Sequence, residues 1–326
     1  MKILVTGVAG FIGHYVALAL LARGDNVVGI DNLNNYYDVS LKEARLKRIS
    51  ENKNFQFACG NVADSNFMEN LSEKHPQISS VIHLAAQAGV RYSLENPSAY
   101  IEANVMGQLV ILEFCRSLKN IKHLVYASSS SVYGGNTKVP FAVEDRTDTP
   151  ISLYAATKRA DELMGHCYSH LFKIPSTGLR FFTVYGPWGR PDMAAYLFTK
   201  AMFEGAPIKV FNNGDMERDF TYIDDIVAGI LSCLGKPPKQ KAGKAPHAVY
   251  NIGNNSPEPL MRFIEILEHS TGCKAEINFL PMQPGDVKAT FADIRPMQRD
   301  FNYTPKTPIE IGLPKFVAWF REYHGI

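Results

Sequence analysis

Lys2-Ile3-Leu4-Val5-Thr6-Gly7-Val8-Ala9-Gly10-Phe11-Ile12-Gly13 opens the chain and decides its fold. Five residues of strand character run into three glycines, and a helical pattern, Ile12–Arg23, starts inside the glycine stretch. Glycines at such a junction permit a tight turn and let a pyrophosphate approach the backbone. The helix start then offers unpaired N–H groups and the positive end of its dipole. A second apolar run, Val27–Asp31, ends in a carboxylate 18 residues after Gly13. A carboxylate there accepts hydrogen bonds from an adenosine ribose and repels a 2′-phosphate, which predicts NAD rather than NADP.

Outward from this turn, strand-like runs recur at Phe55–Cys59, Val81–Ala85, Leu124–Ser128 and Thr177–Phe181. Helical patterns lie between most of them, at Asn66–Lys74, Ala99–Leu118 and Leu153–Phe172. This alternation predicts an α/β fold, a Rossmann-type doubly wound parallel sheet over residues 1–182. From Gly186 onward Pro, Gly and Asn increase. Short strand signals stand at Ile208–Phe211, Val249–Ile252 and Ala275–Leu280, and helical ones at Ala194–Glu204, Asp225–Leu234, Leu260–Ser270 and Ile309–Tyr323. Residues 183–326 are therefore expected to form a smaller α+β substrate-binding domain at the sheet's carboxyl edge, with some segments interleaved with the first. Gly235–Pro246 reads as an exposed loop.

The net charge of +2 gives no field for nucleic acid or a membrane, and no apolar run near the start is long enough to span a bilayer. Cys59, Cys115, Cys167, Cys233 and Cys273 are odd in number and lack CxxC spacing. No disulfide framework or metal site is expected, and a cytoplasmic location fits.

Tyr154 and Lys158 stand one turn apart on one helix face. An ammonium beside a phenol favours phenolate, which can take a hydroxyl proton as hydride leaves the same carbon. Lys158 can also hold the nicotinamide ribose. A second Tyr-x-x-x-Lys, Tyr196/Lys200, reads as incidental. Ser129 follows a strand and precedes the Tyr154 helix. This placement resembles that of the serine or threonine of the short-chain dehydrogenase/reductases, which implies that its hydroxyl bonds the substrate oxygen, and catalysis is expected from Ser129, Tyr154 and Lys158.

The Gly-x-x-Gly-x-x-Gly spacing, followed by Ser129 and Tyr154-x-x-x-Lys158, resembles the extended branch of the short-chain dehydrogenase/reductase superfamily. The resemblance implies cofactor contacts from Gly7, Gly10, Phe11, Ile12, Gly13, Asp31 and Asn32. It adds Asn61 and Val62, in a turn where Asn61 replaces the usual Asp, and Leu84, Ala85 and Ala86. Ser128-Ser129-Ser130-Ser131-Val132-Tyr133-Gly134 resembles the sugar-nucleotide 4-epimerases. Related 4,6-dehydratases and uronate decarboxylases usually carry acids at the positions of Ser130 or Ser131.

Three downstream stretches resemble the nucleotide-sugar uronate 4-epimerases: Arg180 to Ala194, Asn212 to Tyr222, and Met282-Gln283-Pro284-Gly285-Asp286-Val287. This implies reversible conversion of UDP-glucuronate to UDP-galacturonate through a 4-keto sugar with retained NAD, an isomerase activity that can feed polysaccharide biosynthesis. Substrate contacts are expected from Gly89, Arg91, Ser129, Ser130, Ser131, Thr183, Arg190, Arg218 and Asp286. Arg190's fork is expected to grip the sugar carboxylate, with Arg91 as a rival cation; Phe198 and Val210 are weighed as uracil walls. The alternatives are a UDP-glucose or UDP-N-acetylglucosamine 4-epimerase, then a UDP-glucuronate decarboxylase or a non-catalytic NAD-binding regulator. The resemblance also implies a homodimer joined through the Ala99–Leu118 and Leu153–Phe172 helices.

Overall fold

A computed structural model of the chain describes residues 1–283 and 286–326, so Pro284 and Gly285 of the Met282–Val287 stretch lie outside the described residues. The strands are β1 (Lys2–Thr6), β2 (Asn26–Asp31), β3 (Phe55–Cys59), β4 (Ser80–His83), β5 (His123–Ser129), β6 (Ser176–Phe181), β7 (Thr183–Tyr185), β8 (Ile208–Phe211), β9 (Glu217–Tyr222), β10 (His247–Ile252), β11 (Pro257–Pro259) and β12 (Ile277–Leu280). Seven of them form one parallel sheet in the order β10-β6-β5-β4-β1-β2-β3.

Both faces of the central strands are covered, so β1, β2 and β4 are buried almost throughout. Alternation along β1 sorts the two layers. Ile3 and Val5 face the helix Phe11–Ala22 and its neighbour Ile223–Leu234, whereas Leu4 joins Leu71, Ile111 and Leu112 on the opposite side. Order reverses between β1 and β4, and ligands of such sheets bind beyond the carboxyl ends of the strands at that point. The two ends are stitched there: Leu84 and Ala85 N–H donate to the Thr6 hydroxyl at 3.2 and 3.1 Å, and the hydroxyl lies 2.7 Å from His83 Nδ1.

The smaller region contains β11-β9-β7 and the parallel pair β12-β8. The run Val249–Ile252, read with that region, instead becomes β10 and extends the main sheet beside β6. The expected single helix Ala99–Leu118 is split into Pro97–Tyr100, a wider π-type turn at Ile101–Met106, and Gly107–Ser117. The wide turn carries Asn104, whose amide bridges the Gln87 backbone (2.8 and 3.1 Å) and the Thr157 hydroxyl (2.9 Å). A helix at Val39–Ser50 has no counterpart in the apolar pattern, because charged Lys42 and Arg45 occupy its buried stripe with Leu41 and Ile49.

Candidate active site

A cleft of ≈ 1180 Å³ opens at the carboxyl ends of the central strands. It exceeds the roughly 300–1,000 Å³ of a pocket for one small ligand. Gly7, Gly10, Phe11, Ile12 and Gly13 line it from the turn after β1, Asp31 and Asn32 from the end of β2, and Asn61 and Val62 from the turn after β3. Leu84, Ala85, Ala86, Gly89 and Arg91 follow from the segment after β4, and Ser129, Ser130 and Ser131 from the end of β5. Tyr154, Lys158, Thr183, Arg190, Arg218 and Asp286 complete it. Phe198 lines it too, but Val210 is fully buried in the core and Phe211 faces the cleft instead.

The glycine turn fits a bound pyrophosphate. Gly7 has φ +69°, and a Cβ there would lie 2.8 Å from Ala85 N; a Cβ on Gly13 would lie 2.0 Å from Gly7 O. The following helix has Gly10 at its N-cap and no capping side chain, so its first amides keep no side-chain acceptor. Asp31 accepts from Ala9 N–H at 3.0 Å with one oxygen and from Leu33 N–H at 2.9 Å with the other. Each oxygen retains a lone pair for a ribose hydroxyl. Asn61 accepts from Ala63 N–H at 3.0 Å and donates to Glu102 at 3.0 Å. Lys42, unmarked in the sequence reading, also lines the cleft and is tied to Asn34 by two 2.7 Å bonds. These residues fit an adenine dinucleotide.

The reacting groups stand on regular elements. Ser152 caps the Leu153–Phe172 helix by accepting from Ala155 N–H at 3.1 Å, and this fixes where Tyr154 begins the first turn. Ser129 ends β5 and accepts from Ser131 N–H at 3.1 Å. Lys158 has a partner that the sequence did not point to: its buried ammonium pairs with Asp161 at 2.7 Å. Burial pushes the Asp161 carboxyl up to about 6 while Lys158 opposes the rise. Local spacing explains the pairing, since residues 158 and 161 are neighbours on the helix.

Glu162, a residue with no expected role, anchors this constellation. Glu162 accepts from Arg180 Nε and Nη2 at 2.7 and 2.9 Å, from Arg159 at 2.8 Å and from the Ser128 hydroxyl at 2.7 Å. Burial works against its charge, but these donors outweigh it and hold the carboxyl below its ordinary range. Glu162 thus locks the Tyr154 helix to β5 and β6. Its signal in the sequence is the continuation of the Tyr154, Lys158 series by four more residues.

Arg190 also differs from expectation. Its Nε donates to Asp192 Oδ1 at 2.9 Å and its Nη2 to Asp192 Oδ2, so the fork is already engaged. Burial disfavours its charge, yet the Asp192 carboxylate more than compensates and raises its pKa. Arg190 lines the cleft together with Tyr154 and Thr183. Arg91 has other partners: it donates to Asp286 at 3.3 Å and stacks 4.7 Å above the Phe211 ring. Arg218 shares that neighbourhood; burial lowers its pKa, Asp286 opposing and Arg91 reinforcing the shift. Its Nη1 is tied to the carbonyls of Glu217 and Lys288 at 2.9 and 3.0 Å.

Protein CapI of Staphylococcus aureus is 51% identical, covering 99% of this chain and 99% of its own. UDP-glucuronate 4-epimerase 1 of Arabidopsis thaliana is 48% identical, with 100% of this chain and 78% of the plant protein covered. The solved UDP-glucuronic acid 4-epimerase of Bacillus cereus, in complex with UDP-glucuronic acid and NAD, superposes with a TM-score of 0.90 at 35% identity, over 99% of this chain and 100% of that one. The family model for residues 3–253 spans β1 through β10, the whole sheet that carries the glycine turn, Ser129 and Tyr154. By that match and these identities, the chain belongs to the NAD dependent epimerase/dehydratase family.

Proposed function

We propose that the protein interconverts UDP-glucuronate and UDP-galacturonate by oxidation and re-reduction at C4 of the sugar. The observation that carries this reading is one cleft joining the glycine turn to Ser129, Tyr154, Thr183 and Arg190. The relatives named above for UDP-glucuronate 4-epimerase activity support the same substrate.

The glycine turn and Asp31 would hold NAD, which would supply a reversible hydride acceptor when bound. Tyr154 takes the proton of the 4-hydroxyl and gives it back when the centre is re-formed. The Ser129 hydroxyl bonds the same oxygen and shares the proton. Arg218 and Asp286 anchor the UDP, and the phosphate linkage lets the 4-keto sugar present its other face. Arg91, set among these groups, gives the diphosphate a second cation. Tight anchoring with a loosely held ring is the division of binding that inversion needs.

A 4-keto uronate is a β-keto acid, which loses carbon dioxide when its carboxylate bond aligns with the carbonyl π system. Hydroxyls of Ser130, Ser131 and Thr183, with Arg190, hold the carboxylate out of that alignment. The serine run carries no acid, which separates this chain from decarboxylase and dehydratase chemistry.

A homodimer is part of the proposal. Ile101 (49%), Met106 (47%), Leu163 (56%) and Leu171 (59%) leave apolar area exposed on the Ile101–Ser117 and Leu153–Phe172 segments. A cytoplasmic location fits five cysteines without a disulfide. Among the described residues no helix is long and apolar enough to cross a membrane.

The test is incubation of the purified protein, without added cofactor, with UDP-glucuronate and separately with UDP-glucose, followed by NMR. UDP-galacturonate from the first alone is expected. UDP-galactose from the second alone moves the substrate to neutral sugars, and a pentose product means decarboxylation. No reaction even with added NAD would point to a non-catalytic regulator.

A further inference from the structure

A uronate enzyme has an obvious use for an arginine in its cleft, yet the fork of Arg190 is already engaged. Nε and Nη2 are both committed to Asp192, two residues along the same loop. The Tyr36 hydroxyl, from the segment after β2, donates at 3.1 Å to Asp192 Oδ2, the oxygen that also accepts from Arg190 Nη2. Arg190 Nη1 makes no hydrogen bond among the described residues. Both side chains of the pair remain partly open to the cleft, at 23% and 29% exposure.

Arg190 and Asp192 line the same cleft as Tyr154, and a series of tyrosine rings runs from their partner Tyr36 to it. Ring centroids step from Tyr36 to Tyr92 (4.9 Å), to Tyr100 (6.2 Å) and to Tyr154 (6.0 Å). The same loop is clamped from below by Arg45, which donates to the Trp188 carbonyl at 3.1 and 2.7 Å and to the Ala9 carbonyl of the glycine turn at 3.0 Å. Asp192 thus has two partners of its own, Arg190 and Tyr36, on a loop whose Trp188 carbonyl is held by Arg45.

This inference rests on the proposed uronate activity. We propose that Asp192 is a specificity-determining residue that competes with the sugar carboxylate for Arg190, so that the uronate is gripped weakly enough to turn. An unopposed guanidinium would take the carboxylate bidentately and hold the ring in one orientation. Inversion requires two orientations. With Asp192 on the fork, the carboxylate meets Nη1 and neutral hydroxyls, contacts that can be broken and remade. The pair is electrically neutral overall, so a hydroxymethyl group in place of the carboxylate meets no unpaired charge.

The test compares binding of UDP-glucuronate and UDP-glucose to NAD-loaded protein by calorimetry, in a Tyr154→Phe background that blocks turnover. Adding Asp192→Asn is expected to tighten UDP-glucuronate about tenfold and to change UDP-glucose less than about twofold. In otherwise native protein Asp192→Asn should lower KM and kcat for UDP-glucuronate together. An equal change for both ligands, or weaker uronate binding, would overturn the proposal and mark Asp192 as a structural strut. Should Asp192→Asn not fold, the Tyr154→Phe protein alone decides: a preference for uronate below about tenfold supports a neutralised arginine, and a larger one contradicts it. Failure of the unmodified protein to convert UDP-glucuronate would sink the functional reading and this inference with it. Conversion with ligand-independent Asp192 effects would sink the inference alone.

Discussion

The two ends of the cleft are built differently. At the reacting end, Ser129 closes a strand, Tyr154 and Lys158 ride one helix, and buried Glu162 clamps both elements to Arg180 of β6. At the nucleotide end, Arg91 and Asp286 come from loops, and their ion pair is 54% and 24% exposed. Fixed geometry serves the group that must move a proton within hydrogen-bond reach of a carbon centre. A solvated, exchangeable pair suits a mouth that must open its charges to a diphosphate. The difference predicts that substitutions at the first end act on kcat and stability, and those at the second on KM.

Tyr154→Phe should have the largest effect. Removing one oxygen leaves the helix and the cleft intact, so turnover should fall by at least about 10²–10⁴-fold while NAD still co-purifies. An NMR assay and the absorbance of cofactor released on denaturation check both halves. Retained turnover would break the comparison at its root.

Glu162→Gln comes next, and acts on stability. Arg180 and Arg159 would lose their buried counter-charge, at a cost of about 3–5 kcal/mol in urea unfolding. The pH dependence sharpens this. Glu162's folded-state pKa lies below its unfolded value, so its contribution is present at neutral pH and is lost as pH falls through the folded pKa. The glutamine variant should lose that part of the acid limb. An unchanged acid limb would show that the clamp contributes little.

Arg218→Ala should raise KM for the UDP-sugar roughly tenfold to a hundredfold with little change in kcat, because an anchor is lost rather than a reacting group. Arg91→Ala should change KM less than about threefold, as befits an exposed pair at 3.3 Å. Equal effects of the two would argue that the mouth is as organised as the reacting end.

These two ends were also unequally legible in the sequence. The glycine turn, Ser129 and the Tyr154 helix were readable because local spacing dictates them: a strand, a turn and a helix each impose a period. The Val39–Ser50 helix was hidden because Lys42 and Arg45 sit where an apolar stripe would reveal it, their heads turned to carbonyls of Asn34, Ala9 and Trp188. Which sheet β10 joins was not legible, since a short strand carries no mark of its partner; it pairs with β6 at the edge of the main sheet. Arg190 was read without Asp192, although both stand in one quoted stretch, because a charge pair in a loop follows no periodicity. Lys158 was expected beside the phenol, and only the folded helix shows its ammonium on Asp161.

The central claim is that hydrogen leaves C4 and returns to C4 within one cleft, while Tyr154 handles only the hydroxyl proton. UDP-glucuronate deuterated at C4 tests this most directly, with the product examined by NMR and mass spectrometry. The account predicts UDP-galacturonate that keeps the deuterium at C4, with no label lost to water. Label washed out to solvent, or product whose C4 carries ordinary hydrogen, would contradict it.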